Sequence, residues 1–460
     1  MLRMRRYLNP RYPTGKLPRL KKLFWLYFLL LIFEGALRKW ILPELSAPLL
    51  LVRDPVALLI IWEAYRTKKW PRNWSAVIGV LSLGLVGLCV VQIIVGDNPW
   101  FVGLYGLRSY LLPFPVAFIM GENLDAEDLR KFGFWTLWLL LPLTVIEVAQ
   151  YLAPPSSILN IGAYAGASQI LYAGGHVRAS GTFSYVGGPV GFNALAAAFI
   201  FYGLANNKVA KKWLLWACTL ALIISVPVVG ARTLVFELAA VVCCATLAAL
   251  FGVSQFIKSL RIAVPLFIVY VLASLLPVFS QALHTLHTRF TQASAAEGGF
   301  EHSFVLRAIE PLTGTIGQTH FSKHWIGIGM GRGSAAMQTL LRGTQTFVAG
   351  ETEADREMNE FGAFPGLAFM LFRYILALVI VSKALSRARD HEPLALLLVP
   401  GLLVSLLLGT LEQPTDQGFM VIFVALSLAA LKLTSRTRAP ALSRIPVLRS
   451  MHGNPRPREI

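Results

Sequence analysis

The chain is short of charge. Only 14% of its 460 residues are Asp, Glu, Lys or Arg, against 55% that are hydrophobic, and its mean hydropathy is +0.61. That is too little charge to cover a soluble protein of this length, so the composition implies an integral membrane protein. Acid is scarcer than base, 24 residues against 42, which leaves a net charge of +18. Much of that excess lies at the two ends and in short loops between apolar runs, which is how membrane topology is written. A nucleic-acid partner is therefore not expected.

Cysteine is nearly absent. Cys89, Cys218, Cys243 and Cys244 all lie inside apolar runs, which excludes a disulfide framework and a CxxC zinc spacing. No small-residue cleavage site follows the apolar stretch that starts at Leu23, so a retained first membrane helix is expected rather than a signal peptide. No repeat at solenoid spacing is visible.

Long apolar runs are abundant. Runs near 23–42, 48–64, 75–95, 103–120, 133–152, 184–204, 212–229, 231–252, 261–279, 359–383, 393–411 and 417–433 approach the roughly 20 residues that cross a bilayer. The expected fold class is an all-α polytopic membrane protein with about twelve transmembrane helices. Residues 1–22 read as a basic cytoplasmic tail, 23–280 as helices one to nine, 281–358 as a long periplasmic loop, 359–433 as the last three helices, and 434–460 as a disordered basic tail. With both termini inside, the tails and inner loops hold most of the 42 Lys and Arg, the bias that orients membrane proteins. Two spans carry charge: Arg53-Asp54-Pro55 reads as an ion pair beside a helix breaker, and Arg108 lies between Gly106 and Pro113. Interfacial snorkelling is the plain alternative for both.

The polar island from about His284 to Gly366 organises the rest. It ends in Glu351-Thr352-Glu353-Ala354-Asp355-Arg356-Glu357-Met358-Asn359-Glu360. Thr352 followed by Asp355 is a capping box, so a helix is expected to start here. Glu353, Arg356 and Glu360 then share one face. Acids in a first turn also complement the helix dipole, the bland reading. The functional one is a carboxylate that takes a proton from a hydroxyl beside an arginine that orients it or holds a leaving group.

Three other stretches carry candidates. Arg178 precedes Ser180-Gly181-Thr182-Phe183 and Gly187-Gly188-Pro189, where glycines and a helix start favour an anion. A plain turn into a membrane helix fits as well. Gly230-Ala231-Arg232 joins two apolar runs through almost no loop, and a planar guanidinium there suits a diphosphate or simply reaches water. Arg307 and the run His324-Trp325-Ile326-Gly327-Ile328-Gly329-Met330-Gly331-Arg332 follow. This glycine run has no preceding strand and no GK[ST], so a tight turn beneath a sugar or phosphate is expected rather than a nucleotide loop. His320 and His324 are spaced as a helical metal pair, but the HExxH glutamate is missing and no metal is expected.

Taken in order, these segments resemble the bacterial O-antigen ligase and polysaccharide polymerase family. Arg178 to Phe183 is similar to the family's R-x-S/T-G-T-F. Gly230-Ala231-Arg232 is similar to its S-R hairpin, and His324 to Gly331 to its P-L-x-G-x-G-x-G. Glu360-Phe361-Gly362-Ala363-Phe364-Pro365-Gly366 is similar to its E-x-G-x-x-G. The resemblance covers most of the chain. It implies a GT-C-type architecture in the bacterial inner membrane and an inverting transfer, with no metal or cofactor, of a glycan from undecaprenyl diphosphate to the hydroxyl of a glycan acceptor. By position, Arg178, Arg232 and Arg307 would bind the diphosphate. The family's ligases carry a histidine just before E-x-G-x-x-G, and this chain has none there. Glu353, then Glu351, are the candidate bases, with Arg356 and Glu360 beside them. His302, His324, Arg332 and Arg108 are lesser candidates. A polymerase of lipid-linked repeats is the first reading, with a chain-length regulator or export machinery as a further partner. A ligase is the second. A transporter or lipid-linked sugar flippase, with Arg53, Asp54 and Arg108 lining a path, is the third.

Overall fold

The computed structural model describes residues 18–163, 176–205, 209–251, 277–297, 325–334 and 353–433, and within these the regular structure is helical. Apolar runs leave the chain no alternative: in hydrocarbon each backbone amide must find its partner within its own helix. In order the helices are α1 (Arg19–Ala36), α2 (Arg53–Arg66), α3 (Ser75–Ile94), α4 (Trp100–Leu111), α5 (Pro113–Asn123), α6 (Ala126–Leu152), α7 (Gly187–Ala205), α8 (Lys212–Val229), α9 (Arg232–Leu250), α10 (Pro277–Glu297), α11 (Glu353–Phe361), α12 (Ala363–Arg389), α13 (Leu394–Leu408) and α14 (Pro414–Ala430). Eight helical stretches among the described residues are long and apolar enough to cross a membrane. They are Pro43–Arg66, Arg72–Ile94, Trp100–Asn123, Ala126–Leu152, Gly187–Ala205, Lys212–Val229, Arg232–Leu250 and Ala363–Arg389; α13 and α14 are apolar but shorter.

Several expected boundaries move. α1 starts at Arg19, inside the stretch read as a tail, because Lys21 is held by Asp125 (2.7 Å) and Asp128 (2.5 Å) at the capped start of α6. The expected span 103–120 begins at Trp100 and bends at Leu112, before Pro113 and Pro115. The span expected at 359–383 breaks at Gly362, whose φ of +86° separates α11 from α12. The span expected at 393–411 is interrupted: it starts as α-helix, passes Pro400 and ends in a π turn over Val404–Leu408. The carbonyls freed there are met by Arg373 of α12, which donates to Leu406 O (2.6 Å) and Gly409 O (3.2 Å). The stretch read as a loop over 281–358 carries helix at both ends, α10 and α11. Most of the expected span 261–279, the tails outside 18–22, and Glu351, His302, His324 and Arg307 lie outside the described residues.

α7 and α14 form the centre and are buried along nearly their whole length. Small residues permit it: Gly191 meets the Phe419 ring, Gly133 admits Phe199, and Gly401 admits Phe423. α3 and α9 lie at the rim with most of their apolar side chains uncovered, the pattern of a lipid-facing surface. The bundle has two unlike ends. At one, Lys21, Asp125, Glu122, Lys383, Arg387 and Lys432 gather, with Lys432 donating to the carbonyls of Glu122 (2.6 Å) and Leu124 (3.0 Å). At the other, α7, α9 and α14 begin.

Arg53 and Asp54 do not pair with each other. Adjacent residues on a helix diverge by about 100°. Arg53 instead donates to Glu34 (2.9 Å) and to the Pro414 carbonyl, while Asp54 takes Arg108 (2.7 Å). The three charges expected to line a path are thus tied into bridges between helices.

Candidate functional site

Three of the four acids of α11 face inward. Glu353, Glu357 and Glu360 recur at i, i+4 and i+7 and are all buried, so the face that sequence spacing assigned to an external loop packs against the bundle. Each acid meets a partner. Arg356 bonds Glu353 and lies 3.7 Å from Glu412. Arg373 bonds Glu357. Glu360 accepts from Gly331 N (3.0 Å), Gly333 N (2.7 Å) and the Tyr110 hydroxyl (3.0 Å). Burial pushes Glu360 and Glu412 above the usual carboxylate range, and it pushes Glu357 up against the pull of Arg373. Burial pulls the Arg356 guanidinium down, but Tyr110, Glu353, Glu412 and Glu360 together hold it above its ordinary value.

The glycine run 327–331 forms the wall opposite Glu360. Gly327, Gly329 and Gly331 have φ of +71°, +119° and +85°, and a Cβ on any of them would strike backbone or the Asn98 side chain. Gln92 pins the run, donating to Ile326 O (2.6 Å) and accepting from Met330 N (2.9 Å). Arg332 is drawn to Asn98 Oδ1 (3.1 Å) and Asp97 O (2.7 Å), and burial lowers its pKa. The sequence suggested a sugar or phosphate beneath this turn. Its amides do form an anion nest, but the anion they hold is the Glu360 carboxylate.

A second loop delivers Arg178. Gly181 turns with φ +58°, and Gln150 clamps the turn, accepting from Ser180 N (3.1 Å) and Gly181 N (2.8 Å). Lys39 donates to Ser180 Oγ and Gly181 O, each at 2.9 Å, and the Thr182 hydroxyl donates to Ile32 O (2.7 Å). These bonds fix the turn, and Arg178 lines a cavity of about 450 Å³ beside it.

Four helix starts meet at that cavity. Its wall includes Gly187 at the start of α7, Ala231 and Thr233 around the start of α9, Glu353 at the start of α11 and Asp416 in the first turn of α14. Gly230 (φ +59°) closes α8 and makes the reversal into α9 possible without a loop. A helix start carries a partial positive charge, so four of them together with Arg178 suit a phosphate group, although Glu237, Glu353 and Asp416 also line the wall. Glu353 sits at its edge, accepting from Leu411 N (3.0 Å) as well as from Arg356.

No protein-family model matches the chain, and no curated protein matches it either.

Of the residues singled out in the sequence, the structure brings Arg178 and Glu353 to one cavity. Arg232 starts α9 between two of its lining residues. Arg356 stands behind Glu353. Glu360 and Arg332 belong to the neighbouring glycine nest, and Arg108 sits with Asp54 and over the Tyr105 ring (4.6 Å). Sequence reasoning missed Glu237 and Asp416 in the cavity wall, and Tyr110, Arg373 and Glu412 around α11. A signal for two of them was present: Glu237 and Arg373 interrupt apolar runs, and a charge at membrane depth marks a partner or a site.

Proposed function

We propose that this chain is a membrane glycosyltransferase that polymerises undecaprenyl-diphosphate-linked oligosaccharide repeats at the outer face of the bacterial inner membrane. One observation carries the reading: four helix starts and Arg178 meet at a single cavity that also holds the Glu353 carboxylate. Diphosphate is the anion that such an arrangement suits, since helix starts and guanidinium both favour phosphate oxygens. The gathering of Lys21, Lys383, Arg387 and Lys432 at the opposite end supports a cytoplasmic placement of that end and of both termini, and an outward placement of the cavity.

In this mechanism the acceptor hydroxyl oxygen attacks the anomeric carbon from the face opposite the lipid diphosphate. The glycosidic bond forms as the carbon–oxygen bond to phosphate breaks, which inverts the configuration. Glu353 takes the hydroxyl proton, and Arg356 orients it. Arg178, Arg232 and the helix starts stabilise the charge that appears on the departing diphosphate. A chain-length regulator or export machinery fits as a partner of this activity.

The test is the fate of lipid-linked repeats in cells carrying Arg178→Ala or Glu353→Gln. The reading expects single repeats to accumulate outside while long chains vanish. Long chains that remain on the lipid carrier and fail to reach their final acceptor would establish the ligase instead. Repeats trapped at the cytoplasmic side would establish a flippase, a reading favoured by Glu147 and Glu237, acids buried within spans that no salt bridge joins to a cation among the described residues.

A further inference from the structure

Glu237 is the one cavity acid that neither a helix start nor an arginine explains. Glu353 and Asp416 lie in the first turns of α11 and α14, where acids complement the dipole, and each has bonds of its own: Glu353 to Arg356 and Leu411 N, Asp416 to the Thr410 hydroxyl (2.7 Å). Glu237 lies five residues past the start of α9, about 7.5 Å further along the axis than Arg232 and beyond the first turn. It is only 2% exposed, it lines the cavity, and its Oε2 makes no hydrogen bond among the described residues. A buried carboxyl left incomplete is costly, and it is tolerated where a ligand completes it.

We infer that Glu237 is a sugar-recognition residue and that the sugar entering this cavity is neutral or amine-bearing, not a uronic or other carboxylate sugar. This rests on the glycan-transfer reading. The diphosphate lies at the mouth, beside Arg178 and the first turn of α9, and the sugar ring lies deeper, against Glu237. In either proton state Glu237 serves a hydroxyl: the carboxylate accepts from it, and the acid donates as well. An amine would hold Glu237 in its ionised form. A ligand carboxylate would instead face Glu237, Asp416 and Glu353, with Arg178 the one basic side chain among the described residues of the wall.

Saturation-transfer NMR on the full-length protein in nanodiscs tests this with three probes: methyl α-glucoside, methyl glucosaminide and methyl glucuronide. The first two are expected to bind, and the glucuronide about tenfold more weakly. Glu237→Gln keeps the shape and removes the charge, and it is expected to bring the glucuronide to within about threefold of the glucoside. A wild-type protein that binds glucuronide as well as glucoside overturns the inference and leaves the transferase reading standing. A wild-type protein that binds none of the three overturns both. A Glu237→Gln preference identical to wild type removes Glu237 from the discrimination. The wild-type panel decides the sugar class even where the variant fails to fold.

Discussion

Two acid-rich regions lie side by side and are built to opposite ends. Around α11, Glu357 and Glu360 are fully buried: Glu360 takes donors on both oxygens, and Glu357 is paired with Arg373 through Oε1, although its Oε2 accepts no hydrogen bond among the described residues. In the adjoining cavity, Glu237 is only 2% exposed, its Oε2 accepts no hydrogen bond, and no arginine or lysine bridges it among the described residues. Glu353 belongs to both, bonded to Arg356 on one side and lining the cavity on the other. The same residue type thus does two jobs, and whether a cation or a full set of donors holds it separates them. A completed carboxylate fixes the shape of the site, whereas an incomplete one is available to a ligand.

Breaking the completed side should have the largest effect on stability. Arg373→Met leaves Glu357 buried without its cation and the Leu406 carbonyl without its donor. It is expected to cost about 3–5 kcal/mol, read as a lower unfolding midpoint in detergent. Pairing it with Glu357→Leu should restore most of the loss, and an equally unstable double variant would show that the pair is not the cause.

Breaking the open side should spare the fold and remove activity. Arg178→Ala is expected to lower glycan transfer by about 100- to 1,000-fold with the unfolding midpoint unchanged. A fall in both together would move Arg178 to the structural side. Between these extremes, Gly331→Ala puts a Cβ on a residue with φ +85° against the Val102 carbonyl, and it loosens the nest around Glu360. A loss of about 1–3 kcal/mol is expected, with transfer reduced only as far as the fold is.

Acid sharpens the contrast further. Burial raises Glu412 and Glu360 above the ordinary glutamate value of about 4.5, so above that pH the folded state keeps protons that the unfolded chain has released. Their contribution to stability is therefore full below about pH 4.5 and lost as pH rises toward the folded-state values. Glu412→Gln should flatten this part of the profile, measured as unfolding midpoint against pH, and an unchanged slope would exclude Glu412. The smallest effect belongs to the half-exposed pair Lys131–Glu127 (2.8 Å), where Lys131→Ala should shift stability by under about 0.5 kcal/mol.

The sequence was most legible where physics acts locally. Apolar length announced the spans, and the predicted run 212–229 coincides with α8, Lys212–Val229. The Thr352-to-Asp355 pattern predicts a helix start, and α11 starts at Glu353; Thr352, its expected cap, lies outside the described residues. Boundaries failed where a distant residue decides them: Asp125 and Asp128 extend α1 back to Arg19 by holding Lys21, and Arg373 makes the π turn of α13 tolerable. Within the candidate site, Arg178, Arg232 and Glu353 were marked by their local setting. Glu237 and Asp416 were not, because nothing in their neighbouring residues says that their helices begin at the same point in space.

Hydrophobic length, charge distribution and glycine spacing by themselves determined that this is a many-helix membrane protein with a late polar segment, since each depends on residues close together in the chain. Which acids are completed and which stand open was decided only by tertiary structure. A carboxylate's role depends on the donors that reach it, and here those donors arrive from helices that the sequence separates by up to hundreds of residues.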